Sequence, residues 1–102
     1  MKEAVEYSLI FTKKGLLKFI SHLDLLHLFQ RVLRRANIAV LYSQGFHPIP
    51  KIKFNRALKL GVESDNEQLF IRLKEDIEES RLKKEINKQL PDEIQIVSAT
   101  KV

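Results

Sequence analysis

"AVEYSLIFTKKGLLKFISHLDLLHLFQRVLRRAN", residues 4–37, changes its hydrophobic period halfway along, and that change decides the fold class. Up to Lys13 the period is two: Val5, Tyr7, Leu9 and Phe11 point one way, and Glu6, Ser8, Ile10 and Thr12 the other, as in a half-buried strand. Gly15 marks a turn. Ser21 with Asp24 three residues later then opens a helix in the manner of a capping box, with Ile20 placed to staple onto Leu25. From there the spacing is helical. Leu25, Phe29, Val32 and Ala36, flanked by Leu26 and Leu33, form an apolar stripe, opposite Asp24, His27, Arg31 and Arg34. Arg31, Arg34 and Arg35 fall in the last turns, where cations complement the negative end of the helix dipole.

The rest of the chain repeats the alternation of periods. "NIAVLY" (37–42) reads as an extended lead-in, with an extra short strand over 38–42 as the stronger form of that reading. "KIKFNRALKL" (51–60) puts Ile52, Phe54, Leu58 and Leu60 on one face of a second strand and Lys51, Lys53, Asn55 and Lys59 on the other. Arg56 breaks this pattern, which calls for a bulge or a strand end nearby. "GVESDN" (61–66) is a turn, and "EQLFIRLK" (67–74) a third strand with Leu69, Ile71 and Leu73 inward and Phe70 and Arg72 outward. "DIEESRLKKEINKQL" (76–90) is a helix capped by Asp76, with Glu79 at the third position, an apolar stripe of Leu82, Ile86 and Leu90, and Pro91 as its stop. "EIQIVSATKV" (93–102) closes as a fourth strand. The expected fold is α+β: one ferredoxin-like β-α-β-β-α-β domain over residues 1–102, with two helices on one face of an antiparallel sheet.

At 102 residues the chain builds one core and no more. It has no cysteine, so it offers no disulfide, thiolate zinc site or iron–sulfur cluster, and no cofactor is expected in this chain. Its longest apolar runs, such as "IAVLY", are far shorter than a membrane span, and Glu3 and Glu6 interrupt any signal-peptide core. A cytoplasmic protein is expected. The net charge of +5 at pH 7 is uneven: residues 1–61 carry eleven Lys and Arg against three acids, and residues 62–102 carry seven against ten. One surface is therefore fitted to an anionic partner, for which RNA, DNA and an acidic protein are all candidates.

If Ile52, Phe54, Leu58 and Leu60 face the helices, Lys51, Lys53 and Lys59 project from the open sheet face beside Phe70 and Arg72. Cations around an aromatic ring suit single-stranded RNA, with phosphates on the cations and a base on the ring. The consensus of the RNA-recognition motif is absent from "EQLFIRLK". Ile10, Phe70 and Val97 suit equally a face covered by further chain or another subunit. In "YSQGFHPIPKIKF" (42–54) Gly45 permits a positive φ, and Pro48 and Pro50 fix their own φ, so the loop is stiff and presents Gln44, His47 and Lys51 at low entropic cost. The alternative is that Phe46 plugs the core and the prolines shape a crossover.

Catalysis within the chain would fall to His22 and His47 as an acid–base pair, with Lys51 or Arg56 as the phosphate cation. No metal site is expected: His22 and His27 are five apart, whereas zinc pairs on helices use a spacing of four. No phosphate-binding glycine loop or G-x-S-x-G elbow is present.

Four pieces, in this order and spacing, carry a family resemblance: F-I-S-H-L-D at 19–24, R-x-x-R-R at 31–35, Y-S-Q-G-F-x-P-x-P-K at 42–51 and G-V-E-S at 61–64. The chain resembles the radical-SAM-linked domain of unknown function, found alone or fused to the C-terminus of B12-binding-type radical SAM proteins. The resemblance implies a radical SAM partner, in cis or in trans. Neighbouring ribonuclease and ribosomal-protein genes in that family lean toward RNA. Domains of the family usually continue past the position of Val102, so the resemblance implies that this chain corresponds to the N-terminal half of such a domain. Together these readings point to a non-catalytic, basic RNA-binding domain, an accessory or substrate-recognition module of a radical SAM enzyme. The binding residues expected are His47, Lys51, Lys53 and Arg56, with Arg31, Arg34 and Arg35 as a second basic cluster. A docking module for the radical SAM partner and a ferredoxin-like RNA-processing nuclease are the competing expectations.

Overall fold

The computed structural model of the protein describes residues 4–102. Glu3, counted above against a signal peptide, lies outside the described residues. In chain order the elements are β1 (Val5–Lys13), a 3-10 turn (Gly15–Phe19), α1 (His22–Arg35), β2 (Ile52–Phe54), β3 (Ser64–Leu73), α2 (Glu79–Asn87) and β4 (Ile96–Lys101). The strands form one sheet in the order β2-β3-β1-β4, every neighbouring pair antiparallel. The fold is α+β, a four-stranded antiparallel sheet with two helices.

The period-two residues of β1 and β3 meet across the sheet, with Tyr7 opposite Ile71 and Leu9 opposite Leu69. Both helices add to the core on this face: Leu25, Phe29, Val32 and Leu33 from α1, Leu82 and Ile86 from α2. Each such side chain contributes about 1.5–3 kcal/mol by leaving water. Phe11, Phe29 and Phe54 pack edge to face with ring centroids 5.1–6.2 Å apart.

Capping sets where α1 begins and ends. Asp24 N–H donates to Ser21 Oγ at 3.1 Å. At the other end Asn37 takes the left-handed conformation, φ 58°. Its N–H donates to Arg34 O and that of Ile38 to Leu33 O, which is the Schellman arrangement with asparagine in the place usual for glycine.

Three sequence readings are corrected. β2 is short: the chain leaves the sheet after Phe54, so Leu60 is exposed instead of facing the helices, and the strand end expected near Arg56 lies just before it. Helix α2 starts at Glu79, capped by Glu78, and ends before Pro91 comes into play. Asp76 is instead paired with Lys101, beside the Tyr7 hydroxyl, which donates to Ile77 O at 2.6 Å and accepts from Ile77 N at 2.7 Å. The cap comes from Glu78, whose carboxylate accepts from Ser80 N–H at 3.2 Å. Phe46 does not plug the core; it is 99% exposed.

Candidate nucleic-acid interface

The connection from α1 to β2 builds the site. Its outgoing limb lies against the end of β3: Leu41 N–H donates to Arg72 O and Lys74 N–H to Ala39 O, both at 2.8 Å. The returning limb pairs with the outgoing one through Lys51 N–H to Leu41 O and Ser43 N–H to Ile49 O, also 2.8 Å each. Ile49 N–H adds a bond to Ser43 Oγ at 3.1 Å. Residues 41–51 are thus a two-limbed ribbon, bridged at Tyr42 and Pro50, in place of the extra short strand. Gly45 at the tip, φ 126°, makes the reversal in a conformation that L side chains rarely adopt.

Because side chains alternate along an extended limb, the ribbon has two faces. Ser43, Ile49 and Lys51 join Lys53, Phe70, Arg72 and Glu6 around a cleft of about 540 Å³ on the open side of the sheet. Lys53 stands directly across from Phe70, and Phe70 across from Ser8. Among the described residues, none of Lys51, Lys53 and Arg72 has a carboxylate within ion-pair distance. Tyr42 and Pro50 line a second cleft of about 390 Å³ with His27, Gln30, Arg31 and Arg34 of α1.

The expected binding residues therefore separate. Lys51 and Lys53 come together, and Arg31 and Arg34 come together, with the ribbon between the two pairs. Arg35 is exposed but lines neither cleft, and His47 stands exposed at the ribbon tip. Arg56 is engaged elsewhere. Its guanidinium makes two bonds to Glu67, 2.9 and 3.3 Å, and Glu67 is buried. Burial pushes the Glu67 carboxyl up, but Arg56, Ser64 and nearby Lys13 together hold it below the usual carboxylate range. Lys59 lies past the end of β2 and lines a cleft with Lys13, Arg56 and Glu67 instead of the open-face cleft, and its carbonyl accepts from buried Lys13 Nζ at 2.5 Å. His22 lies edge-on to Phe54, centroids 4.8 Å apart, and shares no described cleft with His47.

Sequence reasoning missed Tyr42 and Pro50 as cleft walls, and it missed the Lys13 and Glu67 pair of buried charges. A signal for the second existed. Lys13 continues the inward phase of Phe11, and Glu67 precedes Leu69 in the same phase, so opposite charges occupy inward positions on adjacent strands. Among the described residues no group of three His, Asp or Glu is placed to hold a metal ion, and no helix is long and apolar enough to cross a membrane.

No curated protein and no solved structure matches the chain. A family match does, over residues 6–102, to DUF2344, described as an uncharacterized protein conserved in bacteria. With nearly its whole length inside that match, the chain belongs to the DUF2344 family.

Proposed function

We propose that the protein is a non-catalytic binding module for single-stranded RNA that serves a radical SAM enzyme, in cis or in trans, as an accessory or substrate-recognition part. One observation carries the RNA reading: Phe70 lines an open-face cleft with Lys51, Lys53 and Arg72, cations free of ion pairs among the described residues, with Glu6 across from Arg72 the one carboxylate at that cleft. Phosphates gain from the cations by releasing counterions, and a base gains by stacking on the ring. The ribbon walls the cleft with hydrogen-bonded backbone, so little order is lost on binding. The strand order β2-β3-β1-β4, with a helix in each β-β crossover, supports reading the fold as a ferredoxin-like sandwich, whose uncovered sheet face would be the binding surface. The radical SAM link rests on the resemblance of the four sequence motifs.

Fluorescence anisotropy with an end-labelled single-stranded RNA tests this. Lys51→Ala, Lys53→Ala, Arg72→Ala as a triple variant, and Phe70→Ala alone, are each expected to weaken binding at least about tenfold. Removing three exposed cations from the other side, Arg81→Ala, Lys84→Ala, Lys88→Ala, is expected to change little. Equal losses in both triple variants would reduce the effect to net charge and sink the reading.

A separate surface favours the docking reading. Leu16, Phe19, Leu23, Leu60 and Val62 are all more than half exposed. Gly61 N–H donates to Lys18 O at 2.7 Å, which ties the 60–62 turn to the 3-10 turn. This apolar end, away from the lysine cleft, is where a radical SAM partner would seat, and such docking is expected to be nearly insensitive to salt.

A further inference from the structure

We infer that the helix-side cleft is a second nucleotide subsite, so that one RNA strand occupies both faces of the ribbon and crosses it at Pro50. The inference rests on the RNA reading above and extends it to the path of the strand. Pro50 is the wall common to the two clefts, and no other ribbon residue lines both. On the helix side Tyr42 is 45% exposed beside Arg31 and Arg34, with His27 at the same cleft. An exposed ring flanked by two guanidiniums repeats on this side the chemistry of Phe70 with its lysines: a platform for a base and forks for phosphate.

The local fold holds the two arginines in position. Arg31 and Arg34 are three apart on α1 and so share a face, and the Schellman bonds at Asn37 turn the chain sharply enough to bring Tyr42 back over that face. Arg35, one residue further, points elsewhere and is assigned no contact. Neither Arg31 nor Arg34 has a carboxylate within ion-pair distance among the described residues. Two sites separated by a rigid wall engage one flexible strand at high effective concentration only if the strand is long enough to reach both.

Strand length is therefore the test. Affinities are measured for RNAs of about 4 and about 12 nucleotides, a range that single small domains of this kind accommodate. Wild type is expected to bind the longer RNA at least about tenfold more tightly, and Arg31→Ala, Arg34→Ala or Tyr42→Ala to remove that advantage while leaving the short RNA unaffected. Tyr42→Phe keeps the ring and is expected to retain the advantage, which separates stacking from any part the tyrosine plays in holding the ribbon. If the helix-side variants bind both lengths as wild type does, the second subsite is wrong and the open-face reading stands. If Lys51→Ala, Lys53→Ala, Arg72→Ala binds the short RNA as tightly as wild type does, the open-face reading fails and this inference falls with it.

Discussion

The steepness of salt dependence counts the phosphates that the protein touches, and the structure says how many there should be. Three cations, Lys51, Lys53 and Arg72, line the open-face cleft, and two more, Arg31 and Arg34, line the helix-side cleft. For single strands each neutralised phosphate adds about −0.7 to the slope of log affinity against log salt, so three contacts give about −2 and five about −3.5. Between 50 and 200 mM salt that is a loss of about 20-fold for three and about 130-fold for five. Anisotropy titrations of the longer RNA at four salt concentrations, pH 7.5, read the slope directly. The triple variant Lys51→Ala, Lys53→Ala, Arg72→Ala is expected to flatten it to about −1.4, the share of the two arginines. Phe70→Ala is expected to lower affinity at every salt concentration and leave the slope alone, because a ring releases no counterions. A wild-type slope shallower than about −1, or one that the triple variant does not change, would refute the assignment of these side chains to phosphates.

Other expectations concern what holds the site in place. Tyr7→Phe strips both hydrogen bonds from the Ile77 backbone and is expected to cost about 1–3 kcal/mol in urea unfolding; a loss under about 0.5 kcal/mol would mean that water replaces the hydroxyl. Glu67→Gln should destabilise the protein at pH 7. Because the Glu67 carboxyl is held below its ordinary range, its contribution is complete above that range and disappears as pH falls through the lowered folded value, so wild type and variant should converge in acid. A gap that persists at low pH would show that the charge is not what stabilises. Phe46→Ser, at the fully exposed ribbon tip, is expected to leave stability within about 0.5 kcal/mol, measured by thermal unfolding.

Much of the site was legible one residue at a time. The outward phase of Phe70 and Arg72 follows from Leu69, Ile71 and Leu73 being inward, and Lys51 and Lys53 follow in the same way from Ile52 and Phe54. Period two works because a strand that buries one face must expose the other. It failed at Lys59, which the alternation carried onward past Phe54, whereas the break it registered at Arg56 matches the strand end. Arg56 falling in the apolar phase is the local sign that pairing ends; where it ends is fixed by Asn55 N–H, which donates to Gln68 O at 2.9 Å, and by buried Glu67, which holds Arg56. The helix-side cleft was half legible. The arginines are visible on the polar face of α1, but Tyr42 reaches them only because the chain returns over the helix.

What the sequence determined by itself is the set of elements and which side of each meets the core, since both follow from periodicity and short-range caps such as Ser21 with Asp24. Only the tertiary structure decided which charges are free. Lys51 and Arg56 both read as candidate phosphate cations in the chain, yet one faces an open cleft and the other is locked to a buried carboxylate eleven residues away. The ribbon likewise exists only through bonds between residues 41–43 and 49–51 and to the end of β3. The physical reason is the range of the forces. Side-chain direction is set by neighbours along the chain, whereas the pairing of charges and the closing of a cleft depend on contacts between segments that only the folded sheet brings together.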